Sequence, residues 1–275
     1  MSNSMTSGFS PITHYKLVDF GKPHTKAHPT HLAVGQLPSS VDLRSGCPDV
    51  YDQGQIGSCT ANALAGDIEF VKMKQGQNQT GTPSRLDLYE QERQAEGSFP
   101  DDSGAFLPDG INAAKTNGIC PETDWTYSPD NLNIQPTPQA LADRKDNKIV
   151  QALNIDHTDL NQLKQSLADG YPVTLAINVY QSFESPDNLH TGVINMPQSG
   201  EKILGGHAML LVGYDDASQR FIFRNSWKLK DGTPWGDKGY GTIPYQYIAS
   251  TDLAYPDEFW SVRQVDTGAA APPKA

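Results

Sequence analysis

The 275-residue chain is short of cysteine, of basic residues and of long apolar runs, and each shortage closes a class of function. Cys47, Cys59 and Cys120 are too few for a disulfide framework, and their odd number leaves at least one thiol unpaired within the chain. Lys and Arg number 21 against 32 Asp and Glu, a formal net charge of −11. Phosphate binding needs clustered cations, so nucleic acid is excluded as the main partner. No stretch of about 18 apolar residues exists, so no helix is expected to span a membrane, and no membrane partner is expected. The opening MSNSMTSGFSPITHYKLVDF lacks the basic and apolar regions of a Sec-type signal peptide, which implies a cytoplasmic protein or export by a leaderless route. No internal repeat is visible. Hydrophobic residues make up 37% of the chain, enough for one large domain or two lobes sharing a cleft.

What is present falls into zones. Residues 1–36 are polar, contain His and Pro, lack periodicity and read as an extended arm. From Ser58 the spacing of Ala61, Leu64, Ala65, Ile68 and Val71 predicts an amphipathic helix. Further helices are expected over 84–95 and 108–116, the latter stopped by Asn117-Gly118, and in LNQLKQSLADGYP, ended by Gly170. YSPDNLNIQPTPQ reads as a crossover. VTLAINVY, HAMLLVGYDD and RFIFRNSW are strand-like. Helices first and strands second predict an α+β protein with segregated lobes, a helical one over about 45–130 and a β one over about 140–262. The tail from 266 is expected to be disordered.

DQGQIGSCTANALAGDIEF places Cys59 at the start of the first helix. Unpaired backbone N–H groups and the positive dipole end stabilise a thiolate there. Gly54 and Gly57 allow a tight turn and a close approach to substrate. Taken alone, Cys59 could equally be a small buried hydrophobe. A cysteine nucleophile needs a base and a group to orient that base. His207, at the head of an apolar strand behind Gly205-Gly206, supplies the first. Asn225, in RNSWKLKDGTPWGDKGYG, can accept a hydrogen bond from the far imidazole nitrogen, and Trp227 can shield that bond from water.

Together these blocks resemble the papain-like cysteine peptidases, in order, over roughly 37–262. LPSSVDLR resembles the start of the family's mature domain. DQGQIGSC resembles the nucleophile block, DDSGAFLPDGINAAKTNGI the segment carrying the substrate-binding glycines, GGHAMLLVGY the histidine strand, and RNSW with WGDKGYG the asparagine loop and the hairpin after it. The resemblance implies a two-lobe α+β fold with an antiparallel, barrel-like β lobe and the active site in the cleft between lobes. It implies Cys59 as thiolate nucleophile, His207 as its imidazolium partner, Asn225 as orienter, and an oxyanion hole from the Gln53 amide and the Cys59 backbone. Gly104, Ala105, Phe106 and Leu107 would line the substrate edge, with Gly206 leaving the pocket open and Trp227 at its margin. The substrate would be a peptide or protein, with no cofactor, no metal and a monomeric state.

Departures from the family are visible too. Its cysteine three residues before the nucleophile is Ile56 here, its aromatic after the nucleophile is Thr60, and the disulfide partner position is Asp102. That removes the cleft-side disulfide and points to a microbial branch. Cys47 and Cys120 stay open between a disulfide and two buried thiols. The family's long helical pro-domain has no counterpart in residues 1–36. Phe9, Tyr15, Leu17, Phe20 and Leu32 are anchors a disordered arm would not need, so the arm is expected to pack on the body and can occlude the cleft as a reduced pro-segment. His24 and His28 have a spacing that suits a metal on a helix, but Pro29 favours a loop. Asp101-Asp102 and Asp215-Asp216 are expected to be solvated loop charges. Acyl transfer to an amine on the same scaffold, and a non-catalytic peptide binder, are the alternative functions; the joint presence of Gln53, Cys59, His207 and Asn225 argues against the binder.

Overall fold

The computed structural model describes residues 18–19, 27–77 and 81–268. Helix α1 runs Cys59–Lys74, α2 Arg85–Ala95 and α3 Leu107–Thr116, close to the predicted spans. Ser84 caps α2 by accepting from the Asp87 N–H at 3.2 Å, and Pro108 opens α3, where its missing N–H costs nothing. The 127–139 stretch carries only a 3₁₀ turn at Pro129–Asn131 before the short α4, Pro138–Asp143. Then come α5 (Leu160–Ala168), α6 (Pro186–Thr191) and α7 (Tyr245–Ala249).

The strands are β1 (Ser40–Asp42), β2 (Lys148–Asn154), β3 (Val173–Tyr180), β4 (Ile203–Asp215), β5 (Arg220–Arg224), β6 (Tyr240–Pro244) and β7 (Trp260–Asp266). They form one antiparallel sheet in the order β2-β7-β3-β4-β5-β6, with β1 also on β4. β4 is the central strand. It is buried from Gly206 through Tyr214, which explains its near-continuous apolar run. Ile177 of β3 faces His207 across the ladder.

One buried cluster holds α1, α2 and α3 together and includes Leu64, Ile68, Leu88, Phe106 and Leu107. A second fills the β side with Phe183, Phe221, Phe223, Trp227, Trp235 and Phe259. Helix α1 lies between them, packed on β4 and β7 as well as on α2 and α3. It is therefore buried almost all round, not along the single apolar face its periodicity predicts.

The arm is packed where it is described. Thr30 N–H donates to Asn154 O at 2.7 Å. Gln162 of α5 accepts from Leu32 N–H at 2.5 Å and donates to Leu32 O at 3.0 Å, and Gly35 N–H reaches Gln165 Oε1 at 2.8 Å. The expected anchors Phe9, Tyr15, Leu17 and Phe20, and His24 of the metal-spacing pair, lie outside the described residues, as does most of the tail.

Candidate active site

The loop 51–58 delivers Cys59 as the first residue of α1, and its thiol is fully buried. The backbone N–H of Ala208 on β4 faces the sulfur, as do those of Cys59 and Thr60. The nucleophile candidate thus sits against the strand that carries His207. His207 is also fully buried, and its Nε2 lies 2.8 Å from Asn225 Oδ1. The same Oδ1 accepts from the Ser226 backbone N–H at 2.8 Å. The Ser226 N–H identifies this atom as the amide oxygen, which only accepts, so the imidazole donates to it and carries its proton on Nε2. Nδ1 is then the basic nitrogen, and it is buried without a hydrogen-bond partner among the described residues. The Trp227 indole stacks on the ring, centroids 4.1 Å apart and planes 26° from parallel, and screens the histidine–asparagine bond from water.

Burial pushes the Cys59 thiol up to about 12, against the pull of the Ala208, Thr60 and Cys59 backbone amides. Burial likewise pushes His207 down to about 3, against the pull of Asn225. Both shifts run toward the uncharged pair, as burial of either charge requires while the site is covered.

Gln53 is fully buried and tied to the asparagine loop twice. Its N–H donates to Ser226 O at 2.9 Å, and its Oε1 accepts from Ser226 Oγ at 2.8 Å. The side-chain nitrogen gives one proton to Ile56 O at 3.1 Å. Ser226 therefore fixes Gln53 and Asn225 together. It was missed in the sequence because Asn-Ser-Trp reads as an ordinary turn. Tyr127 is a second such residue, donating to Gln53 O at 2.9 Å and meeting Ser58 Oγ at 2.6 Å.

The position of the family's disulfide is filled by a hydrogen-bonded staple. Asp102 Oδ1 accepts from Gly57 N–H at 2.9 Å and from Tyr89 Oη at 2.7 Å, while Tyr89 Oη accepts from Gly104 N–H at 3.0 Å. A Cβ at Gly57 would crowd Asp102 Oδ1 at 3.0 Å and Tyr89 Oη at 3.2 Å. Asp102 is thus not the solvated loop charge expected, and Asp216 also has partners, Lys164 Nζ at 2.6 Å and Tyr245 Oη at 2.8 Å. Cys47, Cys59 and Cys120 are all free thiols, so no bond joins Cys47 to Cys120. Thr60, in place of the aromatic, donates to the buried Glu92 at 2.8 Å.

Of the predicted substrate residues, Gly104, Ala105, Phe106, Leu107 and Gly206 gather around Val18, while Trp227 stacks on His207. Val18 and Gly206 exchange both backbone bonds, Val18 N–H to Gly206 O at 3.0 Å and Gly206 N–H to Val18 O at 2.6 Å. The Val18 side chain is 6% exposed and lies directly over Gly104, where a Cβ would stand 2.1 Å from it. Gly104 also has φ +78°, so both the space and the backbone require glycine. Ala105, Phe106 and Leu107 are buried in the same apolar cluster as Val18.

The model of the papain family cysteine proteases matches residues 37–254. The chain belongs to this family. A peptidase C1-like protein of Acanthamoeba polyphaga mimivirus is 38% identical over 78% of the chain and 69% of its own length. Xylellain, a cysteine protease from Xylella fastidiosa, superposes with a TM-score of 0.79 at 35% identity, over 92% of this chain and 96% of that one. Vignain of Vigna mungo is 28% identical over 84% of the chain, which spans 60% of vignain's length. The protein is a papain-like cysteine protease with the two-lobe α+β fold of these relatives.

Proposed function

We propose that the protein hydrolyses peptide bonds through Cys59, and that the arm around Val18 covers the site as a built-in inhibitor. The observation that carries the catalytic reading is the His207–Asn225 bond, which leaves Nδ1 as the base beside the Cys59 strand contact. Cys59 gives its thiol proton to Nδ1, and the thiolate attacks the scissile carbonyl. The oxyanion receives hydrogen bonds from the Cys59 backbone N–H and from the Gln53 amide proton not given to Ile56. His207 Nδ1–H then protonates the leaving amine, and the acyl group stays on sulfur as a thioester. Water, deprotonated by the same nitrogen, hydrolyses the thioester and restores the thiol. Displacing the arm admits water to the cleft, relieves the burial that holds the pair neutral, and lets the ion pair form.

Two measurements test this. Cys59→Ala is expected to retain less than about 1% of wild-type peptide turnover with an unchanged melt; higher activity in protein free of contaminating protease contradicts the nucleophile. Val18→Arg cannot seat a long charged chain against Gly104. It is expected to raise kcat/KM and to speed labelling of Cys59 by a thiol-directed epoxide. Unchanged rates contradict inhibition by the arm.

A further inference from the structure

A cavity of about 240 Å³ lies behind the Trp227 that stacks on His207, lined by Asp52, Gly54, Trp227, Lys228, Leu229, Lys230 and Gly232. Its back wall is the Trp227 indole that stacks on His207. It shares no residue with the seat of Val18, which is made by Gly104 and Gly206. The site therefore has two arms, and the peptide-like contacts of Val18 occupy only one of them.

The cavity's cationic wall is a rigid hairpin. Its base is closed by Trp235 N–H donating to Trp227 O at 3.1 Å, with the two indoles edge to face at 6.1 Å. Leu229 N–H reaches Thr233 O at 2.8 Å, and Lys228 bridges Pro234. Leu229 is buried while Lys228 and Lys230 are exposed, and all three line the cavity. Neither ammonium lies within 4.0 Å of a carboxylate among the described residues. The nearby acids are turned to their own backbone: Asp52 Oδ1 accepts from Gly54 N–H at 3.0 Å, and Asp231 Oδ1 from Thr233 N–H at 2.9 Å. Two ammonium groups free of ion pairs among the described residues outnumber the one lining carboxylate, Asp52, and give the cavity a local positive excess on a chain of net charge −11.

We propose that this cavity holds the leaving-group side of the substrate and that Lys228 and Lys230 select a carboxylate there, an inference that rests on the hydrolytic reading above. The carboxylate comes either from an Asp or Glu side chain within about two residues after the scissile bond, or from the free C-terminus of a substrate cut near its end. The lysines act on binding and specificity, not on the chemical step.

The experiment uses the full chain and matched fluorescence-quenched peptides that differ only after the scissile bond. One series places Glu, Gln or Lys there with an amidated C-terminus. A second ends two residues after the bond, as free acid or as amide. Exposed ion pairs contribute up to about 1 kcal/mol each, so kcat/KM for Glu is expected to exceed that for Lys by roughly fivefold or more at low salt. The preference should collapse near 1 M salt, where screening acts within about 3 Å. Lys228→Glu/Lys230→Glu is expected to invert the Glu-to-Lys ratio. A free-acid preference, with or without the side-chain preference, identifies the terminal carboxylate as a source. Equal ratios in wild type and the double variant overturn the proposal. A peptidyl coumarylamide has no residue on that side; if the wild type cleaves neither it nor any peptide, the hydrolytic reading fails and takes this one with it.

Discussion

The two walls of the cleft are made of unlike material. The helical wall, which carries Cys59, buries charge: Asp67, Lys72, Asp87, Glu92 and Arg93 are all fully inside. Arg93 donates to the carbonyls of Pro100, Asp101 and Leu132, and Arg144 meets Asp87 at 2.6 Å. The β wall, which carries His207 and Asn225, buries rings: Trp227 stacks on His207, meets Trp235 edge to face, and both touch Phe183. The proposed base is held by the stacked Trp227 and by its bond to Asn225, and neither partner titrates. The nucleophile is positioned by hydrogen bonds to groups whose protonation matters, including the Asp102 staple and the Thr60–Glu92 bond. The comparison teaches that the nucleophile wall should answer to pH while the base wall should answer to loss of volume.

The largest effect is expected on the ring side. Trp235→Ala removes a fully buried indole and should cost about 3–5 kcal/mol, read from chemical denaturation, with a loss that barely changes with pH. A loss that varies strongly with pH would break the distinction.

Next comes the staple. Asp102→Ala strands the Gly57 N–H and the Tyr89 hydroxyl and should cost about 1–3 kcal/mol. It should also lower kcat, because Gly57 leads directly into Cys59. A stable but fully active variant would show that the staple does not position the nucleophile.

The pH response follows. Burial holds the carboxyls of Asp67, Glu92 and Glu258 well above their ordinary range. A group whose folded pKa is raised gives stability that is fully present below the unfolded value of about 4 and is lost as pH rises toward the folded value. The melting temperature is therefore expected to fall as pH rises from about 4 through neutrality, and Glu92→Gln should flatten that slope. A slope unchanged by Glu92→Gln would contradict the assignment.

The smallest effect lies on the exposed face of β1. Asp42 and Arg44 pair at 2.7 Å with side chains 46% and 40% exposed, and Asp42→Ala should change stability by less than about 1 kcal/mol.

Much of this site was readable from local blocks. Cys59 at a helix start, His207 behind two glycines and Asn225 before Ser-Trp each carry their signal within a few residues. What stayed hidden depends on meetings between distant segments. Ser226 and Gln53 are 173 residues apart, and Gly57 and Asp102 are 45 apart, so neither bond leaves a local pattern. Strand β2 escaped because its pairing with β7 shifts register between Ile149 and Ala152, which breaks the two-residue alternation. The burial of α1 on every side was hidden because Asp67 and Lys72 read as a solvent face but find partners inside, Val262 N–H for one and Asn147 for the other.

The most direct test follows alkylation of Cys59 from about pH 4 to about pH 10, in wild type and in His207→Ala, with the modified residue identified by peptide mass. Inhibition by the arm, as proposed, would act on both proteins alike, so the shape of the profile decides. The account predicts a histidine-dependent reactive phase at neutral pH in wild type, and in His207→Ala a single rise at or above the free-thiol value of about 8.5. Superimposable profiles would mean that His207 does not activate Cys59, and would contradict the site proposed here.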